Sequence, residues 1–137
     1  MNISNFIPKT VLATVALVLL MSSHSTAQSP DAVFEQVSAA LSKGDANALS
    51  THFATSVEVT LPTGDQTYSS QQATFVLKDF FAKHPVKGFS ILHKGNSGAT
   101  WYATGTYSSS AGVFDANIFV KKTAEKFQIT QIRFEAE

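Results

Sequence analysis

There is no cysteine anywhere in these 137 residues. No disulfide can staple the fold, no thiolate can hold zinc or attack a substrate, and no lipid can be attached through a lipoprotein-signal cysteine. Charge is balanced, with ten Lys plus Arg against ten Asp plus Glu. The basic residues form no clustered face, since Lys121-Lys122 and Lys126 flank a single turn, and this excludes a nucleic-acid footprint. Internal repeats, linkers and low-complexity segments are also missing. So is a Gly-x-Ser-x-Gly elbow: Ser69-Ser70 and Ser108-Ser109-Ser110 fall where capping and turning account for them. The apolar run from Val11 to Met21, about 11 residues, falls short of the ~20 that a membrane-spanning helix needs.

That short run reads instead as an export signal. Lys9 precedes it, and a polar stretch ending Ser25-Thr26-Ala27 follows, with small residues at the last and third-last positions. Signal peptidase requires that pattern, which predicts cleavage between Ala27 and Gln28. The expectation is a cleaved signal at 1–27 and a single domain at 28–137, exported to the periplasm or secreted, with no stable membrane span after cleavage. A mature chain of ~110 residues can bury a core without staples.

Ser29-Pro30-Asp31 starts a helix, with a hydroxyl cap, a first-turn proline and an acid. Val33, Val37, Ala40 and Leu41 recur on one face, and Gly44 suits the left-handed closing position. Asp45 caps a second, shorter helix carrying Ala48, Leu49 and Phe53. Val57, Val59 and Leu61 alternate with Glu58 and Thr60 in a short strand stopped by Pro62, and Thr63-Gly64-Asp65 reads as a turn. Ser69 or Ser70 caps a third helix with Ala73, Val76, Leu77, Phe80 and Phe81 on its apolar stripe, ended by His84-Pro85.

Four strands follow, at 86–93, 99–107, 113–121 and 126–134. Broken alternation predicts a bulge near Gly88, and another between Ile129 and Ile132 that keeps Phe127, Ile129, Ile132 and Phe134 on one side. The predicted order is ααβαββββ. Helices gathered ahead of antiparallel strands indicate an α+β domain with three helices on one face of a strongly bent sheet.

This order resembles the nuclear transport factor 2-like superfamily, in which such a sheet wraps helices into a cone. The resemblance rests on Lys43-Gly44-Asp45-Ala46-Asn47-Ala48-Leu49, on Phe53 to Val59, and on the closing Phe127 to Glu135. A signal peptide followed by one such domain also resembles an uncharacterised family of exported Bacteroidetes proteins. The resemblance implies a fold, because the superfamily hosts isomerases, dehydratases, cyclases and plain binding modules. Its ketosteroid isomerases place a proton-abstracting aspartate before a proline at the end of the first strand. Here Leu61 precedes Pro62, and a leucine cannot accept a proton.

Three residues are candidates for acid–base work: Asp115, paired in parity with Asn117 in a central strand, together with His52 and His93. The core parity of Phe114, Ala116, Ile118 and Val120 assigns Asp115 to the solvent face. His84, beside Pro85, reads as a helix terminator. No two of these histidines stand at metal-ligand spacing within one element, and neither a metal nor a cofactor is expected. Trp101, Tyr107, Tyr102 and Tyr68 are candidates to line a ligand pocket. The favoured expectation is a non-catalytic module binding a small ligand or a protein. The alternatives are a small isomerase, dehydratase or hydrolase using an acid–base pair in the cone, and a homodimer formed through the sheet.

Overall fold

Ser29 opens the described chain by accepting a hydrogen bond from the Ala32 amide, with Pro30 at the first helical turn. The computed structural model describes residues 28–137, so the predicted signal at 1–27 lies outside it. Helix α1 (Pro30–Lys43) buries Val33, Phe34, Val37, Ala40 and Leu41 along one stripe. It ends at Gly44, whose φ of 61° needs the missing side chain and lets its amide close on the carbonyls of Ala40 and Leu41. Asp45 caps α2 (Ala46–Ser50) through the Ala48 amide.

Strand β1 (Phe53–Leu61) turns at Pro62-Thr63 into β2 (Gly64–Ser69), with Leu61 opposite Gly64. This hairpin departs from the expected turn at Thr63-Gly64-Asp65: the observed order is ααββαββββ. The residues of β2 are polar and mostly exposed, so no apolar alternation announces the strand. Helix α3 (Ser70–Lys83) begins in a capping box, Ser69 and Gln72 each bonding the other's backbone amide. It buries Ala73, Leu77, Phe80 and Phe81.

β3 (Val86–Ser97), β4 (Thr100–Ser109), β5 (Gly112–Thr123) and β6 (Lys126–Ala136) complete a curved, unclosed six-stranded sheet ordered β2-β1-β6-β5-β4-β3. Its pairings are antiparallel except β1 with β6, which run parallel. The bulge expected near Gly88 is present between Val86 and Gly88, and a second falls between Ile91 and His93. In β6 the register skips Thr130, since Val120 faces Ile129 and Phe119 faces Gln131. That skip is what keeps Ile129, Ile132 and Phe134 all buried.

The three helices cover one face only. Between them and the sheet stand Phe34, Leu77, Phe80, Phe81, Tyr107, Phe114 and Phe134, each at most 6% exposed. Phe80 stacks on Phe134 at 4.8 Å and meets Phe114 edge-on at 5.3 Å, while Phe81 stacks on Tyr107 at 5.7 Å. Burying each such ring contributes about 1.5–3 kcal/mol. The space that a cone would offer a ligand is occupied by aromatic core. Phe75, although in the same helix, points outward at 62% exposure, with the Lys78 ammonium 5.7 Å from its ring centre.

Candidate functional site

The candidate residues occupy different faces. Ala103, Tyr107, Phe114, Ala116, Ile118 and Val120 point into the helices, so Tyr102, Thr104, Thr106, Asp115, Asn117 and Phe119 point to the bare outer face. Asp115 is exposed there, opposite Thr106 on one side and Glu135 on the other. His93 is on the same face, aligned through Thr104 with Asn117. Two strand spacings separate His93 from Asn117, about 9.6 Å, and Asp115 lies a further two residues along. That separation exceeds hydrogen-bond or one-water reach.

His52 sits in the turn between α2 and β1, on the helix side, where its carbonyl accepts from the Ile129 amide at 2.6 Å. It lines a groove with Gln36, Lys43, Asp45 and Ala48, and partial burial pulls its imidazole below its ordinary pKa. No acid–base pair is assembled from Asp115, His52 and His93.

The four aromatics also diverge. Tyr107 is fully buried, its hydroxyl donates to the His84 carbonyl at 2.8 Å, and burial pushes that hydroxyl up to about 12. Trp101 packs edge-on against Phe127 at 5.1 Å at the far end of the helix-covered face. Tyr68 lies opposite Val57 in the β1–β2 hairpin. Only Tyr102 belongs to the outer face, over Gly95 and between His93 at 5.9 Å and Phe119 at 6.5 Å.

What the outer face does assemble is a shallow depression of about 190 Å³. Leu92, Thr104, Gly105, Asp115, Ala116, Asn117 and Glu135 line it. Leu92 follows inward-facing Ile91 and so points outward, at 73% exposure, and the bulge between Ile91 and His93 brings His93 onto the same outer face. Asp115 and Glu135 face one another directly across β5 and β6, an arrangement that like charges make unfavourable. Arg133 binds Glu135 at 2.8 Å, and Asp115 has no ion-pair partner among the described residues.

A second depression, of about 150 Å³, opens between the β1–β2 turn and the end of α3. Its lining includes Leu61, Pro62, Phe80 and His84. His84 reads from the sequence as a terminator only. The signal that marks it is Phe80, one helical turn earlier, on which its ring stacks at 4.4 Å.

Among the described residues, no group of three or more His, Cys, Asp and Glu is placed to hold a metal, and no helix is long and apolar enough to cross a membrane.

The architecture defines the class: an α+β protein with a nuclear transport factor 2-like fold. Within it, the chain belongs to the family described as Domain of unknown function (DUF4783), matched over residues 34–135. It is similar to a DUF4783 family protein of Bacteroides ovatus, 28% identical over 74% of this chain and 93% of that one, with a TM-score of 0.72. It is likewise similar to one from Bacteroides fragilis, 26% identical over 74% and 96%, with a TM-score of 0.71. An NTF2-like protein of unknown function from Cytophaga hutchinsonii shares the fold at 11% identity over 82% and 94%, with a TM-score of 0.61. No curated protein matches the chain.

Proposed function

We propose that this is an exported, non-catalytic module that binds a protein partner on the outer face of its sheet. The observation carrying this reading is Leu92, exposed on a face that none of the three described helices covers and set beside two opposed carboxylates. An exposed leucine flanked by acid fits a Lys or Arg side chain, whose apolar stem lies along Leu92 while its head relieves the Asp115–Glu135 repulsion. The partner is therefore a basic protein surface. A two-fold pairing of this chain centred on the depression would bring four carboxylates together, which opposes self-association there. Catalysis is disfavoured because the acid–base candidates stand apart, and an interior ligand because aromatic rings fill the interior. Export rests on Lys9, the apolar run to Met21 and Ser25-Thr26-Ala27.

The test is a photo-crosslinking residue at position 92, expressed in the protein's own host, with position 36 on the exposed side of α1 as control. The expected result is a discrete protein adduct from position 92 alone, lost in Asp115→Lys. An adduct of two copies of this chain, equal labelling from position 36, or indifference to Asp115→Lys would overturn the reading.

A further inference from the structure

His84 is fixed by more contacts than a helix terminator requires. Its backbone amide and its Nδ1 both lie 2.9 Å from the Phe80 carbonyl oxygen. A carbonyl has two lone pairs and no proton, so Nδ1 must carry the hydrogen. Whenever the ring is neutral, that fixes the Nδ1–H tautomer and leaves Nε2 as the acceptor. The ring lies against Phe80 and meets Phe114 edge-on at 4.9 Å, while Tyr107 pins the backbone by donating to the His84 carbonyl. Locking a polar group in place before a ligand arrives removes an ordering cost from binding.

The depression it lines is apolar on Leu61, Pro62 and Phe80. At about 150 Å³ it matches the size of space that takes a benzene-sized ring. Asp79 and Lys83 stand at its rim and neutralise each other at 2.8 Å, so the rim does not select a charged ligand. We propose that this depression binds a small, neutral, flat molecule carrying one hydroxyl or N–H donor, which is received by His84 Nε2. The site is separate from the outer face assigned to the protein partner, and it would function whether or not that partner exists.

Phenol and toluene are the probes: equal in shape, one with a donor and one without. Each is titrated into the full domain at a pH where nitrogen NMR shows the His84 ring neutral. Phenol should bind saturably, shift the Nε2 resonance, and bind at least tenfold more tightly than toluene. His84→Phe, which keeps the stacked ring, should erase the difference between the two. Thr63→Trp, at an exposed turn position on the rim, should block both while leaving His84 intact if the first variant fails to fold. Equal affinity for the two probes, an unmoved Nε2 resonance, or phenol binding that survives Thr63→Trp would overturn the proposal.

Discussion

Tyr107 illustrates what one side chain can conceal. Its alternation with Ala103 and Gly105 sets it on the same side as the core, yet an aromatic on that side suits a pocket wall as well as a packed interior. Burial depth decides between the two, and depth depends on Phe81 and Phe134 arriving from elsewhere in the chain. Tyr107→Phe keeps the ring and leaves the His84 carbonyl without its donor, which should cost about 1–3 kcal/mol in urea unfolding.

The same hydroxyl sets a pH dependence. Below pH 10 it is protonated in both folded and unfolded chains and contributes no slope. Between 10 and about 12 the unfolded chain loses the proton while the folded chain retains it, so stability falls as pH rises. The stability advantage of the native protein over Tyr107→Phe should therefore narrow from pH 9 to 11.5. A constant gap would show that the hydroxyl is not held in the core. His84 was less legible than Tyr107, because a histidine before proline has a sufficient explanation in ending the helix. Only the Nδ1 contact and the neighbouring depression give it more to do.

At the scale of elements, strand parity and helix caps were readable because each depends on neighbours in sequence. The skip at Thr130 follows from the apolar pattern of β6 alone. Strand β2 escaped because it is polar on both sides, and a strand without an apolar face looks like a loop. The second bulge in β3 escaped because His93 continues the alternation of Phe89 and Ile91 in sequence, and nothing local shows that the extra residue moves it to the other face.

Two glycines make the close approaches within the sheet testable. A β-carbon on Gly105 would stand 2.3 Å from the Ser90 carbonyl oxygen, and that strand backbone cannot move without breaking the β3–β4 ladder. A β-carbon on Gly95 would meet the Tyr102 hydroxyl at 2.6 Å, the free end of a side chain that can swing outward. Gly105→Ala should therefore cost about 3 kcal/mol or more and Gly95→Ala under about 1 kcal/mol in chemical denaturation. Equal costs would contradict the difference between the two neighbours.

For the whole molecule, order and composition carried the fold: helices first, strands after, no cysteine and no charge bias. The interior was not legible in that way. Phe80 and Phe81 on one stripe of α3 are compatible with an open cone or a filled one. The outcome depends on how Phe34, Phe114 and Phe134, distant in sequence, meet them. Once filled, the interior leaves the surfaces as the places where the proposed binding would occur. The proposed role of the outer face then rests on Leu92 and on Asp115 as half of the Asp115–Glu135 pair, not on Asp115 as a proton carrier with His52 or His93.

The most direct measurement is native mass spectrometry of the protein purified gently from its own host. The expected result is protomers that carry no small molecule locked in the interior, accompanied by a discrete complex with a second, basic protein that falls apart as salt is raised. A small molecule held by each protomer, released only on unfolding and still held in Thr63→Trp, would contradict the filled interior, and with it the assignment of function to the outer face.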